Sequence, residues 1–386
     1  MITNNTKGVF ALDDVYKKVS SGCWIQYDSG NDPGTRSLWA WGNNGASFGN
    51  LGINSVGSPK SSPVQVPGSE WCYVAASAQA AALKTDNTLW VWGYNHRGQL
   101  GDNTSINKSS PIQIPGTQWN DVDVMGTGNT IARKTDGTLW TWGDDDGGRL
   151  GVNTVGIHKS SPVQIPGTCW CGIASGTYGN AALKTDGTLW AWGYDGGTGI
   201  RGTSTSGVDI SSPVQIPGTA WIDIDYTSFS AAARKTDGTL WTWGRASYGV
   251  LGNDSLIYRS SPIQVPGTQW NDISLKVNFV LARKADGTLW AWGRNNTGPG
   301  QLGDNTTINR SSPIQIPGTS WNDISAGANS SFARKTDGTL WSWGDNSYGA
   351  LGDNTTVCRS SPIQIPGTSW NDVSADSRTF AIKVVP

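Results

Sequence analysis

Large and small side chains alternate in a short sequence motif that recurs along the chain. The motif, which we call a word, is Leu-Trp-x-Trp-Gly, where x is Ala, Val, Thr or Ser. Residues i and i+2 of a β-strand point to the same face of its sheet. The pattern therefore predicts a strand with two indoles on one face and smaller residues on the other. The seven copies place their tryptophans at Trp39 and Trp41, Trp90 and Trp92, Trp140 and Trp142, Trp190 and Trp192, Trp241 and Trp243, Trp290 and Trp292, and Trp341 and Trp343.

The tryptophan pairs recur every 49 to 51 residues, and two further features repeat every 48 to 51 residues. The word Ser-Ser-Pro-[Val/Ile]-Gln-[Val/Ile]-Pro-Gly occurs seven times, and a third tryptophan follows each Pro-Gly within four residues. Seven units of this length indicate a propeller or a solenoid. The third tryptophans are Trp71, Trp119, Trp170, Trp221, Trp270, Trp321 and Trp370.

Each unit divides into four short strands. In the unit that begins at Trp321, the pattern predicts strands over 321–325, 331–335, 339–343 and 362–365. Asp337-Gly338 is a tight-hairpin signal between the second and third strands. Pro362 is expected to open the fourth strand, where no ladder donor is lost. The chain is therefore predicted to be an all-β, seven-bladed β-propeller with four antiparallel strands per blade.

The fourteen paired tryptophans have a predicted structural role. Interiors reach their packing density when large side chains on one sheet meet small ones on the next. We expect each indole pair to pack against the neighbouring blade, which favours blade-to-blade core over a row of sugar-stacking platforms.

The two ends of the chain carry partial units that add up to one blade. The first Leu-Trp-x-Trp word, 38–41, has no unit before it, and the chain ends with first- and second-strand segments at 370–373 and 380–383. This predicts one blade shared between N- and C-terminal strands. A local hairpin of 23–27 with 38–41 is the alternative, and it would leave 380–385 unpaired. Residues 1–36 are interpreted as an N-terminal anchor or docking segment, and 37–386 as the propeller.

From Ser37 to Lys383, these repeated motifs resemble those of the regulator-of-chromosome-condensation repeat family. The resemblance lies in [Ala/Leu]-x-Lys-x-Asp-Gly-x-Leu-Trp-x-Trp-Gly followed by Gly-x-Leu-Gly, and it implies a seven-bladed propeller. The family includes a guanine-nucleotide exchange factor, a β-lactamase inhibitor, ubiquitin-ligase modules and phage proteins, so the fold alone does not define the function. The regular unit length leaves no long insertion for an exchange-factor wedge, and no basic N-terminal tail precedes the repeats. The segment from Gly8 to Lys17 resembles N-terminal segments of phage structural proteins.

Charge and composition limit the classes of partner that the protein is expected to bind. The 386 residues carry 28 Lys+Arg and 29 Asp+Glu, a net charge of -1, which argues against nucleic acid or an anionic membrane as a partner. The N-terminus does not read as a secretory signal, and no apolar run reaches the roughly 20 residues that a membrane span needs. Five cysteines are an odd and sparse set, which indicates reduced structural thiols.

Candidate catalytic and metal-binding groups are few. His96 and His158 do not recur between units and are interpreted as solvated loop residues. Cys169 and Cys171 are expected to be small buried residues of one strand. Gly-Asp-Asn-Thr at 101, 303 and 352 fits Asx turns better than a calcium loop. A Walker loop and a His-Glu-x-x-His motif are absent from the sequence, and we predict no enzyme, no cofactor and no metal. Two facing carboxylates in a channel pocket would favour an enzyme instead.

The loops vary on one side of the predicted disc. Loops after the first and third strands differ between units, whereas the other turns are nearly identical. Alternating strand direction places both variable sets on one face, which is the candidate partner surface. Its predicted binding residues are Tyr94, His96, Arg97, Tyr178, Tyr194, Tyr226, Phe229, Arg245, Tyr248, Phe279, Arg294, Tyr348 and Arg378.

The preferred functional hypothesis is a non-enzymatic component of a phage or virus particle, such as a tail, fibre, baseplate or decoration protein. Its partners would be other virion proteins, and its location the virion. The alternative is a cytoplasmic protein-binding regulator or inhibitor of the same repeat family. A third hypothesis is a lectin that binds a host-surface glycan.

Overall fold

Seven four-stranded antiparallel sheets form the fold. The computed structural model describes residues 36–384, except 46, 127, 205, 277, 297–299 and 377. Six sheets are made of four consecutive strands, and the seventh combines the first two strands with the last two. The predicted all-β, seven-bladed propeller with one shared blade is confirmed.

We number the blades from 1 to 7, with the shared blade last. Blade 1 contains β3 (Trp71–Ala76), β4 (Gln79–Lys84), β5 (Leu89–Gly93) and β6 (Lys108–Gln113). Blade 2 contains β7 (Trp119–Val124), β8 (Asn129–Lys134), β9 (Leu139–Gly143) and β10 (Lys159–Ile165). Blade 3 contains β11 (Trp170–Ser175), β12 (Gly179–Lys184), β13 (Leu189–Gly193) and β14 (Ile210–Ile216). Blade 4 contains β15 (Trp221–Tyr226), β16 (Ser230–Lys235), β17 (Leu240–Gly244) and β18 (Arg259–Gln264).

The remaining blades follow the same plan. Blade 5 contains β19 (Trp270–Lys276), β20 (Phe279–Lys284), β21 (Leu289–Gly293) and β22 (Arg310–Ile316). Blade 6 contains β23 (Trp321–Ala326), β24 (Ser330–Lys335), β25 (Leu340–Gly344) and β26 (Arg359–Gln364). Blade 7 contains β27 (Trp370–Ala375), β28 (Arg378–Val384), β1 (Arg36–Gly42) and β2 (Lys60–Gln65). Short 3-10 turns lie at Asp146–Gly148 and Ser247–Gly249.

The fourth strand of each blade starts earlier than predicted. In blade 6, β26 begins at Arg359, so Pro362 lies inside the strand and does not open it. This strand is at the edge of its sheet and pairs on one side only. Its register with β25 shifts between the pairs that flank Pro362, and a proline without an N–H is tolerated at such an irregular edge.

In blades 2 to 6 an Asp-Gly turn positions the first tryptophan of the pair. In blade 6, Asp337 Oδ1 accepts hydrogen bonds from the Thr339 backbone N–H at 2.9 Å and from Thr339 Oγ1 at 2.6 Å. Thr339 Oγ1 in turn accepts a hydrogen bond from Trp341 Nε1 at 2.9 Å. Lys335 Nζ lies 4.8 Å from the ring centroid of Trp321 and 4.5 Å from that of Trp341. The first indole is thus held beside a lysine ammonium by a cation–π contact.

The three tryptophans of a unit have different environments, which corrects the prediction that both paired indoles are core. The second of each pair and the third tryptophan are at most 4% exposed. The first of each pair is only half-buried and packs at the margin of a core cluster. The first indole lies beside the hairpin turn, where a lysine side chain rather than a neighbouring sheet covers part of the ring.

The fully buried second tryptophan joins each blade to the preceding one. Trp92 Nε1 donates to the carbonyl oxygen of Asn50, at 3.1 Å, in the loop of blade 7. A Cβ on Gly52 would stand 2.6 Å from Trp92 Nε1, and Gly52 has a φ of +70°. The second glycine of Gly-x-Leu-Gly therefore leaves room for the indole of the next blade.

The C-terminal strand closes the ring. β1 pairs with β28 from Arg36 opposite Val384 to Gly42 opposite Arg378, which confirms the favoured alternative. The competing segment 23–27, the Gly8 to Lys17 segment and residues 1–35 of the predicted anchor lie outside the described residues.

The cysteines differ partly from expectation. No disulfide joins Cys72, Cys169, Cys171 and Cys358 to one another. Cys169 precedes β11 with a φ of +64° and is exposed, so its prediction as a buried strand residue was wrong. The left-handed residue before the strand turns its side chain toward solvent.

Candidate functional site: the loop face and the channel mouth

The variable loops meet on one side of the disc, which we call the loop face. The backbone N–H of Arg245, after the third strand of blade 4, donates to the carbonyl oxygen of Phe229 in the loop after its first strand, at 2.8 Å. Tyr194 and Tyr178 are joined in the same way in blade 3, at 2.9 Å. The predicted same-face arrangement of the two loop sets is confirmed.

Most predicted binding residues reach the surface of the loop face. Exposed members are His96, Arg97, Tyr194, Tyr248 and Tyr348. Half-buried members are Tyr94, Tyr178, Phe229, Arg245 and Arg294.

Three predicted surface residues were wrong because they are buried. Tyr226, the last residue of β15, is 1% exposed and belongs to a core cluster with Trp221 and Trp243. Phe279, which begins β20, is 1% exposed and packs with the core of blade 6. Arg378 is 6% exposed and donates to the carbonyl oxygen of Ser77 in blade 1. All three lie where a loop joins a strand, so the neighbouring blade covers them.

Aromatic rings of adjacent blades contact each other on the loop face. The Tyr178 ring centroid lies 5.6 Å from that of Tyr194 and 5.5 Å from that of Phe229 in blade 4. On the other side of the ring, His96 stacks on Tyr94 at 4.7 Å, and Phe48 meets Tyr94 edge-on at 5.0 Å. Such contacts hold the rings in fixed orientations. Sequence reasoning missed Phe48, which is the aromatic residue of its loop.

Two arginines of blades 4 and 5 lie against tyrosines. Arg245 Nε donates to Ser247 Oγ at 2.8 Å and to Tyr258 Oη at 3.1 Å. Hydrogen bonding with Ser247, and then with Arg245, lowers the pKa of Tyr258 from its ordinary value. Arg294 lies over the ring of Tyr248, with 4.7 Å from Cζ to the centroid. These contacts place guanidinium groups and tyrosines together at the surface.

Exposed aliphatic residues, which sequence reasoning also missed, form a rim. Each blade presents at least one, between 51% and 65% exposed, in the loop that precedes its fourth strand. The available signal was an apolar residue shortly before each Ser-Ser-Pro word. Regularly placed exposed apolar groups indicate contact surface. The rim residues are Val56, Ile106, Val155, Ile157, Val208, Leu256, Ile257, Ile308 and Val357.

A cavity of about 110 Å³ lies where the first strands end, at the mouth of the central channel on the loop face. Its lining includes Asp123, Asp225, Ser274, Lys276 and Ser325. Two carboxylates in one channel cavity are the arrangement that would favour an enzyme, so their hydrogen bonds decide what they do.

The two carboxylates brace the ring of first strands. Asp123 accepts from the backbone N–H of Val124 in its own strand at 2.8 Å and from that of Ser175 in blade 3 at 2.6 Å. Asp225 does the same for Tyr226 at 2.8 Å and Leu275 at 2.6 Å. Both oxygens of each carboxylate are engaged.

Serines occupy the equivalent position in three other blades and each serves one neighbour. Ser274 Oγ accepts a hydrogen bond from the Ala326 N–H of blade 6 at 2.9 Å. In the same way, Ser325 Oγ accepts from the Ala375 N–H of blade 7, and Ser374 Oγ accepts from the Ala76 N–H of blade 1. The blades that precede the two aspartates carry Ala75 and Ala174, which have no acceptor. Each aspartate therefore accepts the N–H that the alanine of the preceding blade cannot accept, and it also accepts an N–H of the next blade. Burial raises the pKa of Asp123 to about 6 and that of Asp225 to about 7. A bracing role accounts for both groups.

A second layer of aspartates pairs with arginines across the first two strands. Asp223 lies 3.3 Å from Arg234, and blades 2, 5 and 6 repeat this pair at 3.6 to 3.8 Å. In blade 7, Asp372 lies opposite Ile382 instead. Burial, and then the nearby charge of Asp323, raises the pKa of Asp372 to about 7.

Side chains of the type that bind metals come together once among the described residues. Ligand atoms of Asp144, Asp146 and His158 lie within 4.8 Å of one another. Arg97 Nη1 is 2.6 Å from His158 Nε2, and Arg149 Nη1 is 3.3 Å from Asp144 Oδ2. The guanidinium of Arg149 balances the Asp144 carboxylate, and that of Arg97 contacts the imidazole of His158, so the group is an ion-pair and hydrogen-bond cluster. The interpretation of His158 as a solvated loop residue was wrong.

The Gly-Asp-Asn-Thr words are Asx turns, as preferred from the sequence. Asp102 Oδ1 accepts hydrogen bonds from the Thr104 N–H at 3.1 Å, Thr104 Oγ1 at 2.7 Å and Asn95 Nδ2 at 3.1 Å. Lys108 lies 3.3 Å from its other oxygen. Both oxygens of the Asp102 carboxylate are therefore engaged by groups of the protein itself, as in an Asx turn rather than a calcium loop.

Comparison with known proteins identifies the repeats. The family model described as "Regulator of chromosome condensation (RCC1) repeat" matches residues 86–131, 136–183, 237–277, 286–334 and 337–375, and a second model of that description matches 321–350. Together these ranges cover more than half of the chain. The chain belongs to the RCC1 repeat family. A sequence search of the curated proteins found no match.

Solved RCC1-type structures share the fold at low sequence identity. Yeast RCC1 (Prp20) bound to Kap60 has 18% identity and a TM-score of 0.82, over 100% of this chain and 95% of that one. Prp20p from Saccharomyces cerevisiae, described with its binding to Gsp1p and histones, has 18% identity and a TM-score of 0.81, over 96% and 95% of the two chains. Human WBSCR16 has 19% identity and a TM-score of 0.77, over 89% and 99%.

These comparisons show an RCC1-type propeller and give no support to the particle-component hypothesis. The yeast protein is described with protein partners. In the part of the chain that the structure describes, no helix is long and apolar enough to cross a membrane.

Proposed function

We propose that this RCC1-type propeller is a non-catalytic, protein-binding regulator or inhibitor that holds its partner through the loop face. The observation that carries the proposal is the contrast between the two sides of the disc. Tyr194, Tyr248 and Tyr348 are 41%, 37% and 55% exposed on the loop face, whereas the opposite side repeats one Asp-Gly turn and one Pro-Gly turn. Tyrosine and arginine are the residue types that contribute most at protein interfaces.

The rim and the aromatic contacts support the same function. Exposed aliphatic residues such as Ile106 and Ile308, 64% and 59% exposed, add apolar area around the tyrosines. A stable interface needs about 800 Å² from each partner, and a disc face of seven loops offers area of that order. The rings are already packed on each other, so less side-chain entropy is lost on binding.

Other functions receive less support from this geometry. The channel carboxylates are engaged by backbone N–H groups, which favours binding over general acid–base catalysis. The particle-component hypothesis and its virion location are not carried forward. The lectin hypothesis remains an outcome of the experiment below, because exposed tyrosines also stack on sugars. Residues 1–36 stay a proposed docking segment, for which a deletion should leave a folded propeller that has lost one attachment.

Affinity capture with matched variants tests the proposal. The loop-face variant is Y194A/Y248A/Y348A, and the control is T117A/T168A/T219A, whose residues are exposed on the opposite side. Proteins captured from the source cells are identified by mass spectrometry, and the Kd of the purified partner is measured by calorimetry. We expect the control to bind like the wild type and the loop-face variant to bind at least about tenfold more weakly.

The opposite pattern contradicts the proposal. If the threonine variant loses the partner and the tyrosine variant keeps it, the partner binds the other side of the disc. Binding on a glycan array that depends on the same tyrosines, without a captured protein, would support the lectin.

A further inference from the structure

Most arginines of the described chain lie next to a carboxylate. The paired residues are Arg133, Arg149, Arg201, Arg234, Arg283, Arg310, Arg334 and Arg359. Arg97 contacts the imidazole of His158 instead of a carboxylate. Three arginines of blades 4 and 5 also have no carboxylate of the described residues within salt-bridge distance, and they are Arg245, Arg259 and Arg294.

A local exchange in the sequence explains one of the three. Arg310 and Arg359, which begin the fourth strands of blades 5 and 6, pair with Asp304 and Asp353 of the Gly-Asp-Asn word. In blade 4 this word is inverted to Gly-Asn-Asp. Asn253 stands where blades 1, 5 and 6 have the carboxylate, so Arg259 lacks the counter-charge that Arg310 and Arg359 have. Asp254 instead accepts a hydrogen bond from Ser311 Oγ at 2.7 Å.

The same part of the loop face carries exposed apolar and aromatic groups. Leu256 and Ile257 are 65% and 64% exposed, and Tyr258 is 47% exposed. Arg245 lies over Phe229 at 5.3 Å and bonds Tyr258, and Arg294 lies over Tyr248. Aromatic rings thus hold the guanidinium groups of Arg245 and Arg294 in place without neutralising them. The blade 4–5 patch consists of Arg245, Tyr248, Leu256, Ile257, Tyr258, Arg259 and Arg294.

We infer that the blade 4–5 patch binds an acidic segment of the partner protein, whose carboxylates pair with the three guanidinium groups. Arginine presents parallel N–H donors that match a carboxylate in a bidentate geometry. Aliphatic side chains of the same segment would cover Leu256 and Ile257. The inference rests on the proposed function, because it names the chemistry of the partner at one part of the loop face.

A protein segment fits the patch better than nucleic acid. Nucleic acid binding requires several cations along a phosphate track, whereas this patch has three, and an exposed carboxylate, Asp254, precedes its Leu256 by two residues. Leu256 and Ile257 are close to that carboxylate in the chain, and such apolar side chains gain little from a phosphate backbone. The whole protein has a net charge of -1, so no long-range field attracts a polyanion.

Selection from a displayed library of random 12-residue peptides tests the inference. The wild type is panned, and the selected peptides are synthesised and measured by fluorescence anisotropy. The patch variant is R245Q/R259Q/R294Q. The matched control is K108Q/R310Q/R359Q, which removes three charges from the same side of the disc, but charges that already pair with Asp102, Asp304 and Asp353. Circular dichroism checks that both variants are folded.

The expected result has three parts. Selected peptides carry net negative charge together with aliphatic residues. They bind the patch variant at least about tenfold more weakly than the wild type. They bind the control within about threefold of the wild type, because paired surface charges contribute little to a new contact.

Several results would overturn the inference. Neutral or basic selected peptides, an equal loss in the control, or tighter binding of a single-stranded oligonucleotide of the same charge would each do so. A Y194A/Y348A variant separates this inference from the proposed function. Peptides lost by that variant but kept by the patch variant would refute the patch alone. Peptides unaffected by every loop-face variant would refute both.

Discussion

Trp41 Nε1 donates a hydrogen bond to the carbonyl oxygen of Ala350, 2.8 Å away and 309 residues along the chain. The same contact joins Trp92 to Asn50 between sequential blades. The closing joint of the ring is therefore built like the other joints. The closing blade should be as firmly attached as the rest, although its strands come from opposite ends of the chain.

Substitution of the glycine under the closing indole tests this joint. Gly352 has a φ of +71°, and a Cβ there would lie 2.7 Å from Trp41 Nε1. We expect G352A to lower the free energy of unfolding by about 3 to 4 kcal/mol, because it combines left-handed strain with overpacking. Urea unfolding measures the change.

Gly156 provides the matched control, with a φ of +72° and nothing within 4 Å of the added Cβ. G156A should lower the free energy of unfolding by only about 1 kcal/mol. Equal losses in the two variants would mean that backbone conformation alone, without the indole contact, requires glycine at Gly352.

A double-mutant cycle tests the bracing of the channel by Asp123. D123S keeps an acceptor for one N–H but leaves the Val124 N–H without one, since Ala75 has none. We expect a loss of about 1 to 2 kcal/mol in unfolding free energy. A75S should change little by itself and should restore most of the loss in A75S/D123S, because it recreates the serine arrangement of blades 5 to 7. Additive effects in urea unfolding would show that Val124 does not depend on this acceptor.

Asp372 should make stability depend on pH. Burial raises its pKa to about 7, so the folded state binds the proton more tightly than the unfolded state, where the carboxyl has a pKa near about 3.9. The free energy of unfolding should therefore rise as pH falls from 8 to about 5. Asp123 and Asp225 contribute in the same direction. D372N should raise the melting temperature at pH 8 and flatten the pH profile.

Asp272 provides the contrast, because it pairs with Arg283 at 3.8 Å. D272N should lower the melting temperature at pH 8, since it leaves a buried guanidinium without its partner. If D372N also destabilises at pH 8, the folded ring must stabilise the ionised Asp372 carboxylate, and burial would not be the dominant influence on its pKa.

A buried ion pair in blade 3 offers a stabilising change. Arg201 and Asp195 are at most 1% exposed and 3.6 Å apart, at positions where most other blades have Leu and Asn. R201L alone should destabilise by about 3 to 5 kcal/mol, because the Asp195 carboxylate would be buried without its counter-charge. The double variant R201L/D195N should be neutral or stabilising by about 1 to 4 kcal/mol. Thermal and urea unfolding of both variants decide the matter, and a double variant as unstable as R201L would contradict it.

Short sequence motifs were enough to predict the blades. Asp-Gly, the alternating tryptophans and Pro-Gly each specify their own turn or strand through contacts within a few residues, as the relay from Asp337 through Thr339 to Trp341 shows. The side of the disc that carries the variable loops followed from strand direction. Burial of Tyr226, Phe279 and Arg378 did not, because alternation shows which face a side chain takes but not what the next blade places over it.

The sequence by itself determined seven blades and four strands in each, since both follow from repeated short-range patterns. It favoured closure by the C-terminal strand over a hairpin with 23–27, and the pairing of β1 with β28 decided between the two. Only the tertiary structure decided which indoles are buried, which aspartates brace the channel and which arginines lack a carboxylate. These properties depend on pairs such as Asp123 with Ser175, in different blades and 52 residues apart. Near-identical repeats acquire different chemistry because each is completed by a neighbour that differs at one or two positions.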